Sequence, residues 1–283
     1  MAIRSRSPVE WVWEEVKIAV TAVGAVSDNE SRAGVAPMVR RIDFADLVLA
    51  LRRGAADFAS FRGDAVFLCL IYPVAGLVFG WLVAGYTVLP LIFPLVAGFA
   101  LVGPLAAVGL NEMSRRSEER EHVTWMDAFG AFRSHAIGKI FVLGLLLMMT
   151  FLLWLVVAGL IYDATLGPQP PASVGVFVSE VFTTNAGWAM ICLGVGVGFL
   201  FAVLALALGV VSFPLLLDRD VRLETAVATS IRAVAINPVP MAAWGLIVAA
   251  GLVVGSIPFL LGLAIVLPVL GHATWHLYRR LIW

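Results

Sequence analysis

The chain has 283 residues, 61% of them hydrophobic and 13% charged, and its 19 basic and 19 acidic residues cancel to a net charge of zero. A soluble domain carries about 25% charged residues, so this composition excludes a water-soluble globule and points to lipid. The zero net charge gives no case for a nucleic-acid partner.

Residues 1–42 read as a cytoplasmic N-terminal tail with one helical stretch, in which Val9, Trp13, Val16 and Val20 recur at helical spacing. Glu14, Glu15 and Lys17 interrupt the apolar run, so it does not read as a cleavable signal peptide. A membrane domain follows over 43–283. Its four apolar blocks, 65–110, 139–162, 189–217 and 239–271, contain one Asp, Glu, Lys, Arg or His between them, Lys139 at an edge. A span needs roughly 20 apolar residues. The first block is long enough for two. The last is long for one span and short for two, and Ser256-Ile257-Pro258 supplies a breaker where a turn would fall.

Charge decides the count. With six spans, at about 65–85, 89–110, 139–162, 189–217, 239–255 and 258–276, every Lys and Arg falls on one face together with both termini. That is the arrangement the positive-inside bias favours. A single last span would send Arg279 and Arg280 outside. The sequence therefore predicts an all-α integral membrane protein with six transmembrane helices, its N- and C-termini cytoplasmic. Cys69 and Cys192 fall within apolar spans and read as small packing residues rather than disulfide halves.

An internal pattern runs through the domain. Phe61-Arg62-Gly63-Asp64-Ala65, Phe132-Arg133-Ser134-His135-Ala136 and Ile231-Arg232-Ala233-Val234-Ala235 each stand before a membrane segment. Each follows an amphipathic run: Leu47, Leu51, Phe58, Phe61; Trp125, Phe129, Phe132, Ala136; and Leu223, Val227, Ile231, Val234. Asp57, Asp127 and Glu224 lie upstream of the three arginines. The pattern suggests three repeats of an interfacial helix plus a helical hairpin. In the outer loop 163–188, Val174, Phe177, Val178, Val181 and Phe182 predict a short helix on the bilayer surface or folded back as a lid.

Few residues stand out as sites. Arg62, Arg133 and Arg232 could bind anionic lipid headgroups, though such arginines commonly snorkel to the interface. His272 and His276 share a helix face and are the nearest approach to a metal or haem site. Beside Trp275, Tyr278, Arg279, Arg280 and Trp283, they read first as an interfacial belt. The pairs Gly76/Gly80, Gly194/Gly198 and Gly251/Gly255 would let helices pack closely. Pro214 and Pro268 would kink their spans. Asn111, Glu112 and Asn237 read as ordinary span boundaries. No catalytic set is visible, and no cofactor or metal is expected.

From Ile42 onward, the Asp57-Phe58 segment, the His122-Val123-Thr124-Trp125-Met126-Asp127-Ala128-Phe129 stretch and the six-span plan resemble a family of uncharacterised multi-pass membrane proteins of bacteria. Its members are sometimes labelled cytochrome c oxidase subunit I-like. That resemblance implies a bacterial inner membrane and an association with respiratory complexes. A haem-copper core needs histidines inside its spans, and none of the four here is mid-span. The expectation is a non-enzymatic accessory, scaffold or assembly subunit that packs against other membrane subunits or its own copy. The alternative is a transporter or permease for an apolar or lipid-like solute.

Overall fold

A computed structural model describes residues 37–69, 90–91, 94–95, 103–104, 107–119, 123–257 and 261–283. Among these the regular structure is helical, and the chain is an all-α membrane protein. The helices are α1 (Phe44–Cys69), α2 (Val108–Ser117), a 3-10 helix (Trp125–Arg133), α3 (Ile137–Thr165), α4 (Val174–Thr183), α5 (Asn185–Gly209), α6 (Ser212–Asp218), α7 (Leu223–Ile236), α8 (Pro238–Ser256) and α9 (Leu263–Leu281). Three described segments are long and apolar enough to cross a membrane: Ile137–Thr165, Asn185–Asp218 and Pro238–Ser256. Most of the first two expected spans, including Gly76 and Gly80, lies outside the described residues, as do His122 and the 1–36 part of the tail.

α3 runs unbroken because its apolar stretch holds neither Pro nor a polar cluster. It closes where the amides of Leu166 and Gly167 both donate to the Tyr162 carbonyl, at 3.0 and 2.8 Å. Trp154 anchors it: the indole N–H donates to the Pro94 carbonyl at 3.0 Å. The ring packs on Phe201, and a Cβ at Gly198 would lie 3.1 Å from it. Gly194 has open space around it, so only one member of that pair makes an internal contact. Gly251 and Gly255 both face Val266 of α9, and Gly255 also meets Leu263. That pair seats the α8–α9 hairpin.

The third apolar block breaks at Val210 and Val211, between α5 and α6. Pro214 cannot donate to the carbonyl four residues back, at Val210. The Val211 amide is taken up by Ser230 Oγ of α7 at 3.2 Å, and Ser212 Oγ donates to the Ala226 carbonyl at 3.2 Å. The kink is thus tied to the amphipathic helix that follows it.

α4 forms as expected. Ser173 caps it, its Oγ accepting from the Val176 amide at 3.2 Å. Only Val181 is buried along α4, while Val174, Val176, Val178 and Phe182 face outward. The turn into α5 is tight at Gly187, where a Cβ would collide with the carbonyls of Glu180 and Val181.

The three amphipathic runs do not share one conformation. The second is wound as a 3-10 helix, entered through Thr124 and Asp127, whose backbone and side chain cap each other. The first lies in α1, which packs along α9. Asp46 pairs with Arg280, and Gly54 faces Ala273, so α1 runs antiparallel to α9. Leu47, Ala50 and Gly54 form the buried stripe, against Ala273, Leu277 and Leu281 on α9. Phe44 and Val48 remain exposed on α1.

A polar cluster between α1 and α9

α1 and α9 are joined at their far ends by backbone. Val39 and Ile282 form an antiparallel bridge, Arg40 N–H donates to the Leu281 carbonyl at 2.8 Å, and Trp283 N–H to that of Met38 at 3.3 Å. Asn237 clamps the same strand-like stretch. Its Oδ1 accepts from the Ile42 amide at 2.8 Å, and its Nδ2 donates to the Arg40 and Ala233 carbonyls at 3.1 Å. Asn237 is therefore a buried bridge, not merely a span boundary.

Further in, the cluster turns ionic. Glu112 is buried and accepts from Arg115 Nε and Nη2 at 2.8 and 2.9 Å, and from Arg116 Nε at 2.6 Å. Arg116 reaches on to Asp127 of the 3-10 helix, over Gly130, where any Cβ would strike the guanidinium. Those hydrogen bonds from Glu112 raise the Arg115 guanidinium above its ordinary value. The Thr124 amide, ahead of Arg116, holds the Asp127 carboxyl below the usual range. A buried ion pair costs much desolvation and persists where hydrogen bonds satisfy both partners, as they do here.

The residues read as an interfacial belt are mostly interior. Trp275 is fully buried, its indole donating to Glu118 Oε1 at 3.1 Å. Tyr278 donates to Asp218 Oδ2 at 2.5 Å, and burial followed by that carboxylate pushes its phenol well up. Arg279 pairs with Glu118 at 3.3 Å. Trp283 alone of the belt aromatics is exposed. Carboxylates at the ends of α2 and α6, Glu118 and Asp218, meet this side of α9.

His272 and His276 are also buried, at 0% and 6% exposure. His272 Nδ1 lies 2.7 Å from Ser114 Oγ, Ser114 Oγ donates to Asp57 Oδ2 at 2.6 Å, and His276 Nε2 lies 2.9 Å from the same oxygen. Phe61 packs on the His272 ring, with centroids 5.9 Å apart. His272 stands seven residues before Arg279, about 10 Å along the helix at 1.5 Å per residue. The cluster thus sits inside the bundle, beyond the rim of arginines.

Ser, His and Asp meet here, but not as a hydrolytic triad. In a triad the carboxylate holds the imidazole, and the imidazole accepts the serine proton. Here the carboxylate takes the serine proton directly, and Ser114 is wholly buried. The arrangement is one hydrogen-bonded row, His272–Ser114–Asp57–His276. Among the described residues, no group of three or more His, Cys, Asp or Glu side chains is placed to hold a metal ion.

The other expected site residues stay apart from this cluster. Arg232 is exposed on α7. The backbones of Arg62 and Arg133 lie in α1 and the 3-10 helix. What sequence reasoning missed was Ser114, Gly54 and the role of Asp57. The available signal was one carboxylate on the apolar stripe of a helix, and two histidines on one face of another.

Residues 92–218, under half of the chain, match the profile of a family described as "Predicted integral membrane protein (DUF2189)". The match supports kinship with uncharacterised integral membrane proteins, in line with the apolar helices seen here. No curated protein and no solved structure matches the chain.

Proposed function

We propose that this is a non-enzymatic multi-pass protein of a bacterial inner membrane, with six spans and cytoplasmic termini, acting as an accessory, scaffold or assembly subunit. A respiratory complex is the partner class that the resemblance implies. The orientation draws on the segregation of all 19 basic residues.

One observation carries the packing role. The apolar stretch Asn185–Asp218 has only 11% of its most apolar window buried. Along α5, Leu193, Val195, Phe199 and Leu200 face outward, and Gly194 and Gly196 have open space beside them. Small residues beside large apolar ones are what helix–helix contacts in lipid are built from.

Cys192 lies exposed on this helix and serves as a probe. In a C69A background it is the only thiol, since the chain has two cysteines. Cross-linking through Cys192 in native membranes is expected to give one discrete heavier species. Mild-detergent purification should retain the same partner, a second copy or another membrane subunit, in fixed ratio. A monomer in both experiments overturns the reading.

A further inference from the structure

With Asp57 ionised, the proton inventory of the α1–α2–α9 cluster follows from its hydrogen-bond geometry. A carboxylate only accepts, and the Ser114 hydroxyl carries one hydrogen, which goes to Asp57 Oδ2. His272 Nδ1 must then carry the hydrogen of its contact with Ser114, leaving its Nε2 bare. His276 meets the same carboxylate oxygen through Nε2, so that nitrogen is the protonated one and Nδ1 is bare. These two bare atoms, His272 Nε2 and His276 Nδ1, are both buried without a hydrogen-bond partner. Hydrogen bonds therefore run inward to Asp57 from both sides.

Among the described residues no Arg or Lys pairs with Asp57; the charges acting on it are those of His276 and His272. From α1 the cluster is faced by Asp57 and Phe61, and from α2 by Ser114 and the Leu110 backbone. The neighbouring carboxylates are engaged elsewhere: Glu112 by Arg115 and Arg116, Glu118 by Trp275 and Arg279, Asp218 by Tyr278. A buried, uncompensated charge costs more than a single unpaired N–H. Neutralising Asp57 thus outweighs leaving one ring hydrogen without an acceptor. Access exists, because the Asp57 side chain keeps 19% exposure against 8% for His276.

We propose that Asp57, Ser114, His272 and His276 form a proton-binding site, whose single carboxylate is neutralised by one proton taken up on the histidine pair. The site then ties the α1–α2–α9 joint to the protonation state of the bundle. This goes beyond the packing role and does not depend on it.

The test is ring-nitrogen NMR on the full-length protein, labelled with [15N]histidine and held in lipid nanodiscs, from pH 8 to pH 5. H272Q and H276Q assign the two rings among the four histidines. At pH 8 both rings should be neutral, His272 protonated at Nδ1 and His276 at Nε2. Acidification should add one proton in total to the pair. D57N should abolish that uptake, from one proton to none. Two protons entering independently, no proton entering, the opposite tautomers, or uptake unchanged in D57N would each overturn the proposal. Should D57N not fold, the tautomers and the proton count in the unmodified protein decide alone.

Discussion

At Gly54 α1 and α9 approach more closely than any side chain allows. A Cβ there would lie 2.5 Å from the Ala273 backbone nitrogen. Backbone cannot swing aside as a side-chain end can, so Gly54→Ala overpacks the contact. The expected cost is about 1–3 kcal/mol. Gly138 is the control, since a Cβ there meets nothing within 4 Å. Thermal unfolding in one detergent should place G54A below the parent and G138A at or above it. Equal melting of G54A and parent would refute the crossing. Neither Gly54 nor its neighbour Asp57 could be read for its role from sequence. A glycine in a helix looks like tolerance until its partner is known, and that partner lies more than two hundred positions away.

The amphipathic helix α7 shows how an element can be legible while its task is not. Its apolar spacing predicts a helix, and one forms over Leu223–Ile236. Pro214 likewise marks the break between α5 and α6. What joins them is Ser230, whose hydroxyl accepts the amide that the break sets free. Ser230→Ala would leave the buried Val211 N–H unpaired, at a cost of about 1–3 kcal/mol. Thermal unfolding of S230A should show that loss, and S230T, which restores an acceptor, should recover part of it. An S230A protein as stable as the parent would count against the tie. The 3-10 helix was less accessible to pattern reading. Arg116 crosses Gly130 to reach Asp127 in it, a contact between elements that periodicity cannot register.

For the molecule as a whole, composition sufficed for the class. Long apolar blocks, bounded by breakers, became the long helices α3, α5 and α8. The polar cluster was not accessible in that way. Its members come from three helices distant in the chain, and each taken singly resembles a span edge. The backbone bridge between Val39 and Ile282 has a direct corollary for topology: Met38 and Trp283, both exposed, sit side by side. In a background with both native cysteines replaced, M38C and W283C should react with an impermeant maleimide from the same side of the membrane. Under the cytoplasmic assignment, both should stay unlabelled in intact cells and react in inverted vesicles. Opposite labelling would contradict the bridge, and labelling of both in intact cells would reverse the orientation.

The pairing of Asp57 with His276 spans 219 positions, which sets a schedule for biosynthesis. At about 5–20 residues per second, the ribosome needs roughly ten to forty seconds to travel from one to the other. For that interval nascent α1 carries an acidic group without its histidine partners and a glycine groove with nothing to fill it. Insertion must therefore be followed by a late docking event, and any factor that shelters the early helix would have to leave before the final one arrives.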